Sequence, residues 1–320
     1  MRGAGIGAPE SGPREAALTG AQYDLGDRRA YEKWREEKLA SYPRSADELR
    51  VEVADPARPT PQERAALTTR CRRANMALYA LRAGANPAPG PQAEADARGA
   101  LHNLATAFGL VQLESHRSAD EDGIVAIEAT EEGGKRGFIP YSRRAMNWHT
   151  DGYYNAEGDA IRSMILHCVR PARQGGGNAV LDPEIVYLRL RDINPSLVAA
   201  LMHPEAMTIP ESIEEDGRVR PVSTGPVFWV DPADGNLVMR YTARTRSIAW
   251  RNDEDTRAAV AHLERLMGKD EEPLTIKLTM NAGEGLLCNN VLHARTAFED
   301  GDGTGRLLLR ARYRQRIAGS

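Results

Sequence analysis

The chain has 320 residues, a formal net charge of -3 and 27% charged residues, enough length for one large domain or two ordinary ones around a sizeable core. Acids and bases are mixed along it, which argues against nucleic acid or an anionic membrane as a partner. No apolar run approaches the ~18 residues of a membrane span and no charged-then-apolar leader opens the chain, so a cytoplasmic protein is expected.

Residues 1–20 are rich in Gly, Ala and Pro without periodicity and read as a mobile leader. Apolar residues then recur at helical spacing over 23–40 and 61–83, with Thr60 or Pro61 as the start signal of the second helix. A Pro/Gly-rich joint over 85–91 precedes a third helix over about 94–108, ended by Gly109, and 110–113 turn strand-like. Segment 21–110 is therefore expected to be mainly helical and to pack on a core formed by 111–320. Past Ala119 come short β-rich runs at 123–127, 161–169, 178–181, 227–230, 237–240, 274–278, 285–287 and 306–313. Many short strands at irregular spacing suggest a sandwich or barrel. Amphipathic stretches at 182–190, 195–202 and 253–267 are expected as helices outside the sheets. Cys71, Cys168 and Cys288 are odd in number and far apart, and read as reduced, mostly buried thiols.

The most informative run is Asn147-Trp148-His149-Thr150-Asp151-Gly152-Tyr153-Tyr154-Asn155. In a strand, residues two apart face the same way, so an imidazole and a carboxylate at that spacing can take adjacent sites on one metal. His293 is the natural third ligand. Two imidazoles and a carboxylate on one face of an octahedral ion leave three positions open, the arrangement of non-haem Fe(II) oxygenases. An isolated H-x-D arises by chance in many chains, so a second pattern matters. His293 is followed by an acidic, glycine-rich loop and then by Arg306-Leu307-Leu308-Leu309-Arg310, which opens a terminal strand. Arginine offers a fixed fork of donors that can grip a carboxylate.

Over about residues 100–316 these motifs resemble the TauD/TfdA family of Fe(II)- and 2-oxoglutarate-dependent dioxygenases, which includes taurine dioxygenases and clavaminate synthase-like enzymes. The resemblance implies an α+β fold with a mainly β core, a double-stranded β-helix (jelly roll) with N-terminal and inserted helices. It implies His149, Asp151 and His293 as iron ligands, Arg306 on the distal carboxylate of 2-oxoglutarate, and Arg310 as a second arginine assisting cosubstrate or substrate. Arg295 is nearer His293 in sequence but is assigned to the loop. The family often has a Gly-Gly-x-Thr turn, where this chain reads Gly175-Gly176-Gly177-Asn178. An asparagine amide can donate the same hydrogen bond, which puts Asn178 in the cosubstrate site, although Gly and Asn are also simply good turn residues. Fe(II), 2-oxoglutarate and dioxygen would then act on an aliphatic C–H bond with release of succinate and carbon dioxide. Hydroxylation is the default; desaturation, cyclisation and cleavage stay open, and halogenation is disfavoured because Asp151 fills the place a halide would need.

Tyr153, Tyr154 and Asn155 follow the metal pair and are candidate substrate contacts, as are Arg240 and Arg244; packing of a tight turn explains the first three equally well. Together they hint at a small polar, carboxylate-bearing substrate such as an amino acid or its derivative. Arg312, Arg314 and Arg316 read as a solvated basic face, His167 as a hydrogen-bonded core histidine, and Trp148 and Trp250 as core. Two other classes stay open: a zinc hydrolase using the same triad, for which no H-E-x-x-H is present, and a non-catalytic metal-binding jelly roll. The amphipathic N-terminal helices can serve a homo-oligomer interface as easily as an intramolecular contact.

Overall fold

The computed structural model describes residues 20–81, 91–114, 119–130, 138–213, 217, 219–244, 248–268, 272–301 and 305–320. The expected leader lies outside the described residues except for Gly20. Ten strands form two sheets: β1 (Arg50–Val53), β2 (Met76–Leu81), β3 (Val125–Glu128), β4 (Met146–His149), β5 (Ser163–Arg170), β6 (Asn178–Leu181), β7 (Ile276–Leu278), β8 (Glu284–Cys288), β9 (Leu292–Arg295) and β10 (Leu307–Tyr313). The larger sheet has the order β1-β2-β8-β5-β10-β3, the smaller β7-β6-β9-β4. All pairings are antiparallel except β1 with β2.

Strand alternation divides the larger sheet between two cores. Met164, Leu166, Cys168, Leu286 and Leu308 face inward and share a core with Val180, Leu181, Ile276 and Leu292 of the smaller sheet. Ile165, Leu287, Leu309, Ala311 and Tyr313 face outward. Helices α2 (Pro61–Ala74) and α3 (Pro91–Ala107) cover that outer face with Leu67, Cys71, Leu101 and Leu104. Each such fully buried leucine or isoleucine stabilises by roughly 1.5–3 kcal/mol relative to exposure. The expected jelly roll with helices outside it is thus the observed one, and α4 (Pro183–Ile193), α5 (Pro195–Leu201) and α6 (Glu254–Leu266) are the inserted helices. Asp182, Asn194 and Asp253 cap them by accepting from backbone N–H groups of the first turn.

The N-terminal segment differs from the mainly helical expectation. Helix α1 (Arg28–Ser41), α2 and α3 are present, but so are two strands that extend the larger sheet. The expected helix over 61–83 begins with the Thr60–Glu63 capping box and stops at Ala74, because Asn75 adopts φ 56°, a left-handed cap. Beyond it Met76-Ala77-Leu78-Tyr79-Ala80 is apolar on both faces, a short run whose period cannot distinguish a helix from a doubly covered strand. It inserts between β1 and β8. Gly285 makes this possible: a Cβ there would lie 2.2 Å from Tyr79 Cζ.

Helix α1 is fastened to the core by charge. The buried Lys38 ammonium lies 2.6 Å from Asp182 and also pairs with Glu184; Asn75 Nδ2 and Tyr23 Oη donate to the same two carboxylates at 2.9 and 2.6 Å. Among the described residues no helix is long and apolar enough to cross a membrane.

Candidate metal centre and cosubstrate pocket

β4 and β9 are neighbours in the smaller sheet, and their register sets His149 opposite His293. The two rings lie 4.2 Å apart between centroids, tilted by 51°. Each is oriented by its own backbone: His149 Nδ1–H donates to the Asn147 carbonyl at 2.9 Å and His293 Nδ1–H to the Val291 carbonyl at 3.0 Å. A carbonyl can only accept, so the proton sits on Nδ1 and each Nε2 presents its lone pair.

Asp151 completes the group. His149, Asp151 and His293 are all buried and each offers an atom within 4.8 Å of the others. Strand alternation is not what carries Asp151 there, because β4 ends at His149 and Asp151 lies in the turn beyond it. That turn is held by Asn290, between β8 and β9. Asn290 Oδ1 accepts from the Asp151 N–H at 2.8 Å, while its Nδ2 donates to the carbonyls of Asp151 and Ile161 at 3.0 and 2.8 Å. Asn290 itself adopts φ 49°, a left-handed conformation that asparagine tolerates better than other side chains with a Cβ. Gly152 follows at φ 66°, where a Cβ would meet Ile161 Cγ1 at 2.6 Å. Asn290 carries no ligand pattern of its own in the sequence. The available signal was the Asn289-Asn290 pair between two apolar runs, a turn marker.

The electrostatics keep the group ready for a cation. Burial, with the His293 ring beside it, pushes the His149 imidazole down to about 3, and burial lowers His293 as well. Both rings are therefore neutral near pH 7, so the 3.9 Å approach of His149 to Asp151 is not an ion pair. Burial works against ionising Asp151, but the Arg310 and Arg312 guanidiniums outweigh it and hold its carboxyl well below the usual range. Arg310 Nη1 donates to Asp151 Oδ1 at 3.1 Å, leaving Oδ2 buried with no hydrogen-bond partner. Two neutral imidazole nitrogens and an unpartnered carboxylate oxygen converging in a buried place fit a divalent transition metal.

Beside His293 a cavity opens between the sheets, lined by Met164, Leu166, Asn178, Arg295, Arg306 and Arg310 among others. Arg306 is 4% exposed, and its guanidinium meets no carboxylate within ion-pair distance among the described residues. Its neighbours are the Phe298 ring, 5.1 Å away, and Gly176, where a Cβ would come 3.3 Å from Nε. Burial lowers its pKa without a full counter-charge to compensate. Asn178 is buried, with Oδ1 lacking a partner. Arg295 differs from its assignment to the loop: it ends β9, and its fork donates to the carbonyls of Ile139, Pro140, Ser142 and Arg144. Those bonds occupy it as a structural tie. Arg310 lines the same cavity but is already bonded to Asp151.

The basic-face reading of Arg312 is corrected by the structure. Arg312 shares the inner face of β10 with Arg310, is 4% exposed and pairs with the buried Glu114. It also donates to Tyr154 Oη at 3.3 and 3.4 Å. Arg316 donates to Asn75 Oδ1 at 2.6 Å, and only Arg314, paired with Asp159, keeps a surface role. Tyr153 packs edge-on against His149, with centroids 6.4 Å apart, and Tyr154 packs edge-on against Tyr153 at 5.2 Å. Asn155 spends its amide on Glu114 and the Asp159 carbonyl. Arg240 lines a hollow beside Asp151 but bonds to Ser223 Oγ and the Met207 and Gly225 carbonyls. Arg244 is exposed and lies outside these contacts. His167 bonds Tyr79 Oη at 3.0 Å on the outer face of the larger sheet, a core histidine as expected.

This jelly roll, with two histidines and an aspartate converging beside a cavity lined by a buried arginine, has the architecture of a non-haem iron oxygenase. The model of the taurine catabolism dioxygenase TauD, TfdA family matches residues 92–312, and the chain belongs to that family. A uridine-5'-phosphate dioxygenase of a Streptomyces species is 30% identical over 208 residues, 61% of this chain and 70% of that protein. A second uridine-5'-phosphate dioxygenase, from an Amycolatopsis species, is 29% identical over 170 residues, 52% of this chain and 60% of its own length. Among solved structures, the non-heme iron oxygenase OrfP with Fe and alpha-ketoglutaric acid superposes with a TM-score of 0.58 at 18% identity, covering 81% of each chain. Asparagine oxygenase, in complex with Fe(II), 2S,3S-3-hydroxyasparagine and succinate, does so at 0.56 and 16%, covering 92% of this chain and 89% of that one. The protein is accordingly an Fe(II)- and 2-oxoglutarate-dependent dioxygenase. The hydrolase and non-catalytic readings fall with that membership.

Proposed function

We propose that His149 Nε2, Asp151 Oδ2 and His293 Nε2 hold the ferrous ion and that Arg306 binds the distal carboxylate of 2-oxoglutarate, with Asn178 as a further donor. The observation that carries this reading is an orphaned, buried Asp151 oxygen next to a cavity whose Arg306 has no carboxylate partner among the described residues. When bound, iron and cosubstrate couple dioxygen activation to decarboxylation, so that substrate C–H, 2-oxoglutarate and O2 give C–OH, succinate and carbon dioxide. The chain's own residues keep both imidazoles neutral, neutralise Asp151 through Arg310, and line the cosubstrate cavity with Met164, Leu166 and Leu308, which exclude water.

For the substrate we favour a small anion bearing a phosphate, a nucleoside monophosphate, over the amino acid that the sequence alone suggested. The two relatives with 30% and 29% identity are uridine-5'-phosphate dioxygenases by name, whereas the asparagine oxygenase shares only 16% identity with this chain. Of the two arginines that the sequence offered for a substrate carboxylate, Arg240 gives its terminal nitrogens to Ser223 and backbone carbonyls, and Arg244 is exposed. The proposed outcome is hydroxylation, and the three buried free cysteines suit a reducing cytoplasm.

The test is an anaerobic titration with Fe(II) and then 2-oxoglutarate, followed by the visible charge-transfer band of the ternary complex. We expect a band in the wild type and none with His293→Ala. With Arg306→Ala we expect a band that needs at least tenfold more 2-oxoglutarate, the scale of one lost charge-assisted contact. Iron binding without a band in the wild type would refute the assignment.

A further inference from the structure

Resting on the nucleotide reading above, we infer that Arg220 and Tyr154 form the subsite that takes the phosphate of the substrate. Three observations converge on it. The first is unspent charge. Arg310 is neutralised by Asp151 and Arg312 by Glu114, and both terminal nitrogens of Arg240 donate to protein oxygens, with only its Nε left over. Arg220 has no carboxylate partner among the described residues: its Nη2 donates to the Pro210 carbonyl at 2.9 Å, and its Nη1 is buried with no partner. A buried guanidinium donor left unsatisfied is costly unless something accepts from it.

The second is a directed hydroxyl. Tyr154 Oη accepts from both terminal nitrogens of Arg312. Arginine cannot accept, so the Tyr154 proton is left to donate elsewhere. The third is placement. Arg220 Cζ lies 5.8 Å from the Tyr154 ring centroid. Arg312, which holds the Tyr154 oxygen, is itself 3.8 Å from Asp151 Oδ1. Ser223, three residues past Arg220, donates to the Asn155 carbonyl at 3.0 Å and so ties this stretch of chain to the turn. The Arg220 guanidinium therefore packs against a phenol of the turn that follows Asp151, and that phenol is bonded to an arginine standing beside Asp151. A phosphate monoester suits this pair, because its dianion can accept from both at once.

Calorimetric titration of uridine 5'-monophosphate and of uridine, into the apo-protein and into the anaerobic Fe(II)–2-oxoglutarate complex, tests the subsite. The wild type should bind the nucleotide at least tenfold more tightly than the nucleoside, as one charge-assisted contact predicts. Arg220→Ala should abolish that preference while leaving uridine affinity unchanged, Arg220→Lys should keep part of it, and Tyr154→Phe should lose a smaller part. An unchanged preference in Arg220→Ala, or a wild type that binds both ligands alike, would overturn the subsite. Calorimetry reports nucleotide binding whether or not the charge-transfer band forms, so failure of the metal assignment and failure of the subsite are seen separately.

Discussion

Asn290 shows how a residue that touches no reacting atom can decide the geometry of a site. Its side-chain amide makes three bonds to buried backbone, two of them to Asp151. Because Asp151 lies past the end of β4, no ladder bond of that strand holds it. Asn290→Ala removes three hydrogen bonds and leaves their buried partners unpaired while keeping a strained left-handed φ, a loss of about 2–4 kcal/mol in stability. We expect urea unfolding to register that loss and Fe(II) affinity to fall by more than tenfold. Asn290→Gly relieves the strain without restoring the bonds, so it should recover part of the stability but none of the iron affinity; equal recovery of both would show that the clamp does not position Asp151. The residue types of the proposed ligands were legible in sequence because H-x-D, a late histidine and an arginine on the following strand form an ordered pattern. The clamp was not, since an asparagine in a turn has the same local signature whether it is merely tolerated or is holding a ligand. Arg295 and Arg306 show the same limit. Both are arginines near His293, and only the four carbonyls around Arg295 reveal which of them is already occupied.

At the scale of elements, the helix start signals were strong and the strand signals uneven. Thr60, Asp182, Asn194 and Asp253 each sit at the start of a helix, where a short polar side chain answers a free N–H. Strand β2 is not legible in sequence because it is covered on both faces and so lacks the alternation of a half-buried strand, and β1, which does alternate, is only four residues long. Helix α1 depends on a contact remote in sequence, the Lys38 ammonium between Asp182 and Glu184 at the N-terminus of α4. Removing one partner of a buried ion cluster strands the other charges, at a cost of about 3–5 kcal/mol. Lys38→Met should therefore lower unfolding stability by that order, while Lys33→Ala, at an exposed position of the same helix, should change it by less than about 0.5 kcal/mol. A Lys38→Met protein as stable as wild type would mean that aromatic packing of Tyr23, Trp34 and Tyr187 alone holds α1.

For the whole molecule, the two-sheet architecture buries three imidazoles in neutral form, and this sets its response to acid. Burial holds His149 at about 3 and His167 at about 4, and it lowers His293 as well. In the unfolded chain all three return to about 6.5. A group whose folded pKa is depressed contributes stability that is fully present above the unfolded pKa and is lost as pH falls towards the folded one. Between about pH 6.5 and 4 the unfolded state therefore binds up to three more protons, and each such proton removes up to about 1.4 kcal/mol of stability per pH unit. The apo-protein should show a melting temperature that is flat above pH 7 and falls progressively below about 6.5. His167→Gln, which can still accept from Tyr79 Oη, should make that fall shallower by removing one of the three protons without touching the metal centre. Saturating Fe(II) should raise the melting temperature near pH 7 and lose that effect as acidity rises, because protons compete for the same two Nε2 lone pairs. A melting temperature unchanged down to pH 5 in the apo-protein would mean that the histidines are solvated enough to protonate in place, and the buried, neutral centre proposed for iron would go with it.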